Sequence, residues 1–135
     1  MHKYFGTEPA NVKAAIGPCI HNCCYEVGEE VWEKYRSQFS YADELFREVR
    51  ESNAVKEKYP LLFMNARAPG HGPDEPKIFL DLVVANQRQL LDAGVKPKNI
   101  SASDLCTSCR TDLLFSYRKQ RDATGRLMGV IGIRP

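Results

Sequence analysis

"NVKAAIGPCIHNCCYEVGEEVWEKYRSQF", residues 11–39, changes its hydrophobic period partway along. "NVKAAIG" is a short apolar run that reads as a buried strand ending at Gly17-Pro18, a pair that cannot continue a ladder. From Gly28 onward the period is helical. Val27, Val31, Trp32, Tyr35 and Phe39 fall on one side, and Glu30 and Lys34 sit four apart on the wet side. Between strand and helix lies a loop that packs Cys19, Cys23 and Cys24 around His21.

Outward from this stretch the same mixture continues. Upstream, "MHKYFGTEP" reads as the last turn of a helix stopped at Gly6. A helix without its beginning implies that the chain is a piece of something larger. Downstream, residues 40–60 are polar and charged, with a short helix expected around Ala42 to Val49 and then a loop. "YPLLFMNA" (59–66) is a strand or buried turn, and the Pro- and Gly-rich "RAPGHGPDEPK" (67–77) an exposed loop. A second helix starts near Asp81, with Leu82, Ala85, Asn86, Leu90 and Ala93 on one side and Gly94 as its stop. "NISASDL" (99–105) reads as a strand and "CTSCRTD" (106–112) as a loop. "LLFSYRKQ" (113–120) reads as a strand or extended segment, "RDATG" (121–125) as a turn and "RLMGVIGI" (126–133) as a closing strand. Strands and helices mix without a regular βαβ rhythm, so the fold class expected is α+β.

The 135 residues fit one domain, and 43% hydrophobic with 27% charged residues is an ordinary globular balance. Apolar runs such as "IFLDLVVA" are too short and interrupted to span a bilayer, and no basic-then-apolar leader opens the chain. The net charge of +2 comes from interspersed signs, which excludes the concentrated basic stripe that phosphate tracking on nucleic acid requires. Five cysteines are an odd number for a disulfide framework. Reduced thiols in a cytoplasmic protein are therefore the expectation.

Three constellations carry chemistry. Cys19-x3-Cys23 and Cys106-x2-Cys109 could supply four sulfur ligands to a structural zinc. The first pair straddles a Pro-Cys-Ile turn rather than a knuckle, and buried thiols also pack as small hydrophobes, which is the expectation taken here. His21 beside Cys23 offers a base and a nucleophile, but two-residue spacing in a loop seldom orients them. His71 and His2 have no neighbour at metal-binding spacing. "FSYRKQRDATGR" (115–126) combines the hydroxyls of Ser116 and Tyr117 with the guanidinium forks of Arg118, Arg121 and Arg126, a set suited to phosphate or carboxylate. A hairpin around the turn would return Arg126 toward Arg118. No Gly-rich phosphate loop, HExxH or GxSxG occurs.

Two stretches reach further. "AAIGPCIHNCCYEVGEEV" (14–31) resembles the Gly-Pro-x-Ile-x-x-x-x-Tyr-Glu-Val segment of the laccase-domain family, and residues 81–133 resemble that family's C-terminal part. The latter holds an Asn-bearing helix, Cys106-Thr107 after a strand, Phe115-Ser116-Tyr117-Arg118 and Thr124-Gly125-Arg126. Family members carry the label of multicopper polyphenol oxidases and also act as zinc-dependent purine nucleoside phosphorylases. The resemblance implies an α+β fold with a mixed sheet, residues 1–135 being the C-terminal portion of a single laccase-like domain. It implies phosphorolysis of adenosine, inosine, guanosine or methylthioadenosine, with adenosine deamination as a companion. A polyphenol oxidase or a peptidoglycan-precursor editing enzyme is the alternative within the family. The family's two histidine ligands and one cysteine ligand lie in His-Ala-Gly-Trp-Arg-Gly-like and Ala-Asp-Cys-x-Pro-like stretches, which do not occur here. Zinc is thus implied for the intact enzyme, copper going with the oxidase label, and this chain alone is expected to bind neither and to be inactive.

At matched positions the resemblance assigns Ser116, Arg118 and Arg126 to phosphate or ribose, and Tyr25 and Cys106 to the pocket lining. The partners implied are a purine nucleoside and phosphate, and surface belonging against a missing part would favour self-association. Outside the family, a stand-alone anion- or zinc-binding module and a thiol enzyme using Cys23 or Cys106 remain as readings of the same residues.

Overall fold

The structure, a computed structural model, describes residues 2–50 and 76–132. The chain divides into two compact units. One comprises Met1–His21 with Leu82–Pro135, the other Asn22–Asp81.

In the first unit a short helix α1 (His2–Phe5) ends at Gly6, as its sequence implies. Strand β1 (Ala14–Ile16) follows, the apolar run that Gly17-Pro18 stops. Helix α3 (Leu82–Asp92) leads back to β5 (Ile100–Ala102), which pairs with β1 in parallel. The register sets Ala14 opposite Ile100 and Ile16 opposite Ala102. A parallel pair needs a long crossover, and α3, which packs on both strands, lies in it. The helix buries Ala85, while Asn86, expected on the apolar side, is exposed and bonds its Nδ2 back to the Leu82 carbonyl at 2.7 Å. Gly94 closes the helix at φ 88°, where a β-carbon would press on Pro9 at 3.2 Å. Asn99 Nδ2 then donates to the Ala10 carbonyl at 3.0 Å.

The second unit is a three-stranded antiparallel sheet in the order β2-β4-β3: β2 (Glu26–Val27), β4 (Lys77–Leu80) and β3 (Phe46–Val49). Helix α2 (Glu29–Gln38) covers the stretch that its 3.6-residue period marks, and the Glu30–Lys34 pair forms on its exposed side. On β4, Ile78 and Leu80 face the core that Val27, Ala42 and Leu45 complete, and Phe79 takes the other face beneath the Arg47 guanidinium at 5.1 Å. Tyr35, Phe39, Tyr41 and Phe46 form an aromatic row with centroids 5.4–5.6 Å apart.

Three expectations are corrected. The helix around Ala42 to Val49 is a 3-10 turn (Ala42–Leu45) followed by β3, because Phe46 to Val49 are drawn into the ladder with β4. "LLFSYRKQ" is not extended: residues 110–114 coil and Tyr117–Gln120 form the short helix α4. No strand forms over residues 126–132, so neither the hairpin nor the closing strand is present among the described residues. "YPLLFMNA" and all but the last two residues of the loop that follows it lie outside the described residues.

Candidate functional site

The first unit gathers most of the chemistry into one run of chain after β5. The Ser103 N–H donates to the Ile16 carbonyl at 2.9 Å and the Thr107 N–H to the Cys19 carbonyl at 3.0 Å, so residues 103–107 run on beside 16–19 after the regular strands stop. Cys106 is buried there, and the His21 N–H points at its sulfur at 3.4 Å. From Cys106 the chain coils, Arg110 N–H to Cys106 carbonyl and Leu114 N–H to Arg110 carbonyl, and delivers Ser116 as the cap of α4.

Ser116 is only 5% exposed. Its N–H donates to Gln120 Oε1 at 2.9 Å, its carbonyl accepts from the Gln120 N–H at 2.8 Å, and its hydroxyl has no partner among the described residues. The same Gln120 oxygen accepts from the Thr124 hydroxyl at 3.3 Å. Arg118 lies within α4, and Arg126 follows Gly125.

The charges here are uneven. Arg110 makes a two-pronged pair with Asp112, both contacts at 3.0 Å, which raises the Arg110 pKa and lowers that of Asp112. Lys119, Arg121 and Arg126 are exposed and have no acidic partner among the described residues. Arg121 lies by the Tyr117 ring at 6.0 Å and has φ 52°.

The sequence-assigned residues therefore distribute unevenly. Ser116, Arg118, Arg126 and Cys106 belong to the first unit. Tyr25 belongs to the second, half-buried, its carbonyl taking the Leu80 N–H at 3.0 Å. All five cysteines are thiols. Packing accounts for Cys106, but Cys23 and Cys109 are exposed, so burial as small hydrophobes does not explain them. Cys19 is half-buried beside Cys106 on the neighbouring backbone. Sequence reasoning had no role for Gln120 or Thr124. The only signal was Ser116, Gln120 and Thr124 spaced by four, which is weak outside a long helix.

A copper cluster requires several imidazoles. Among the described residues His21 is the imidazole whose surroundings are defined; its Nε2 is buried without a hydrogen-bond partner. Among the described residues this one defined imidazole does not make that donor set.

The multi-copper polyphenol oxidoreductase laccase model matches residues 1–134. The purine nucleoside phosphorylase YlmD of Geobacillus stearothermophilus is 34% identical over 126 residues, which are 93% of this chain and 38% of that protein. The adenosine deaminase RL5, from an unknown prokaryotic organism, is 31% identical over 121 residues, 90% of this chain and 37% of that protein. The solved structure of the Bacillus licheniformis hypothetical protein YfiH superposes with a TM-score of 0.65 at 31% identity, covering 89% of this chain and 36% of that one. The chain thus spans well under half the length of these relatives, and over that span it shares their mixed α+β fold.

Proposed function

The chain belongs to the multi-copper polyphenol oxidoreductase laccase family, and from that membership we propose that it is the C-terminal portion of a purine nucleoside phosphorylase. The substrates proposed are adenosine, inosine, guanosine or methylthioadenosine together with phosphate. The observation that carries this reading is the loop Ser116–Arg126. It puts a nearly buried serine on the same turn as the exposed Lys119, Arg121 and Arg126, which have no acidic partner among the described residues, in a chain whose relatives include a named phosphorylase.

In phosphorolysis a phosphate oxygen attacks the ribose anomeric carbon. The bond to the purine nitrogen breaks, and the base leaves with the electron pair and takes up a proton. Arg118 and Arg126 neutralise the incoming phosphate and Ser116 donates a hydrogen bond to it, so their work is orientation and charge rather than proton transfer. The roles of Tyr25 as a stacking or hydroxyl contact and of Cys106 as pocket lining rest on motif resemblance. The zinc expected of the whole enzyme, and with it the companion adenosine deamination that the deaminase relative favours, belongs to the part of the relatives' length that this chain does not span.

The test compares the 135-residue chain with a protein of the relatives' full length. The full-length protein is expected to cleave inosine only when phosphate is present, and the chain alone to be inactive. Arg118→Ala in the full-length protein should raise KM for phosphate about tenfold or more, the loss of a charge-assisted contact. Phosphate-independent cleavage, oxidation of phenols without phosphorolysis, or an unchanged kcat/KM for phosphate in Arg118→Ala would overturn the assignment.

A further inference from the structure

Gln120 is half-buried, and neither its charge nor a motif suggests a role for it. We infer that Gln120 is the positioning residue of the phosphate loop, its neutral amide oxygen closing residues 116–124 without placing a negative charge among the loop's cations. This inference rests on the phosphorylase reading.

Two contacts close the loop. The first is the shared acceptor. Gln120 Oε1 takes the Ser116 N–H at 2.9 Å and the Thr124 hydroxyl at 3.3 Å, joining two positions eight residues apart. The N–H groups at a helix start have no partner within the helix, and a Glu or Gln that reaches back to the cap residue satisfies one of them. Gln120 does this one position further along than the usual capping box. The second contact is steric. A β-carbon on Gly125 would lie 2.6 Å from the Phe115 ring, so Phe115 and Gly125 touch just outside the hydrogen-bonded pair. Arg118, Lys119 and Arg121 sit on the closed span, and Arg126 follows it directly. Holding these groups in one arrangement before the anion arrives removes an ordering cost from binding.

The choice of amide over carboxylate is the informative part. A glutamate at 120 would accept both hydrogen bonds at least as strongly. It would also attract the neighbouring guanidiniums and repel phosphate. A residue needed only to hold the fold would be served equally by either side chain.

The experiment titrates the 135-residue chain with inorganic phosphate, read by amide and guanidinium NMR shifts, alongside hydrogen exchange of the Ser116 N–H. Gln120→Met, similar in length but without the acceptor, should speed Ser116 exchange and weaken phosphate about tenfold, the scale of its two lost hydrogen bonds. Gln120→Glu should keep Ser116 protected and still weaken phosphate, through charge. Thr124→Val removes the hydroxyl that Gln120 Oε1 and the Gly125 carbonyl both face at 3.3 Å, leaves the Ser116 bond in place, and serves if Gln120→Met does not fold; Ser116 should stay protected while phosphate weakens about threefold. Unchanged phosphate binding in Gln120→Glu and Thr124→Val, or unchanged Ser116 exchange in Gln120→Met, overturns the inference. A wild-type chain that leaves Ser116 protected but shifts no resonance with phosphate overturns instead the reading of this loop as a phosphate site.

Discussion

Arg121 adopts φ 52° and ψ −129°, a backbone region that costs a side-chain-bearing residue about 1–2 kcal/mol and glycine little. Arg121→Gly removes that strain and gives some of the gain back as chain entropy, so chemical denaturation should show a stabilisation of about 0.5–1 kcal/mol. Arg121→Val should destabilise the protein, because a β-branched residue tolerates the conformation least. Asp112 carries a different kind of information. Its bond to Arg110 lowers its pKa, so the pair contributes above the ordinary aspartate range and is lost as pH falls through the lowered folded value. Both side chains are well exposed, which keeps the effect small and sensitive to salt. Carbon-detected NMR should find that Arg110→Ala returns the Asp112 midpoint to the usual carboxylate range, and that high salt moves it part of the way. The sequence displays Arg110 and Asp112 but not their pairing, since a spacing of two brings side chains together only in particular turns.

At the scale of elements, the two long helices were legible because ten or eleven residues are enough to show a 3.6-residue period. The short elements were not. Lys77–Leu80 is four residues long and shows its alternation only once the pairing with β2 and β3 is known. Ala42 to Val49 has helical spacing locally, yet Phe46–Val49 gains more from the antiparallel ladder, so tertiary pairing overrides local preference. The stretch around α4 misleads for a related reason. Leu113, Leu114 and Phe115 look like a strand, but the side chain of Gln120 makes the turn, and side-chain reach has no period. Gly125 tests that account. Gly125→Ala must displace the Phe115 ring and should cost about 1–3 kcal/mol by thermal or chemical unfolding. Adding Phe115→Leu to it should recover part of that loss; no recovery would mean that the ring is not what excludes the β-carbon.

At the scale of the whole molecule, the exposed apolar side chains are concentrated late in the chain. Met128, Val130 and Ile131 are 86%, 83% and 95% exposed, with Leu127 half-exposed beside them. A run of exposed apolar side chains this close in sequence favours association. Sedimentation of the 135-residue chain should therefore show concentration-dependent dimers or larger species, which the triple substitution M128S, V130S and I131S suppresses. A wild-type chain that stays monomeric at high concentration would show that this segment is covered in solution. Among the described residues no helix is long and apolar enough to cross a membrane.

The sequence by itself determined the α+β class, the two long helices, a strand within each of residues 11–17 and 99–105, and the family, because period and motif are properties of neighbours along the chain. Only the tertiary structure decided that Phe46–Val49 and Lys77–Leu80 join one sheet, that residues 126–132 form no strand, and that Cys106 is buried while Cys109 is exposed. It also decided that one glutamine oxygen holds Ser116 and Thr124 together. Those outcomes depend on hydrogen bonds and packing between groups whose partners no local pattern can specify, and there the loop proposed to meet phosphate acquires its shape.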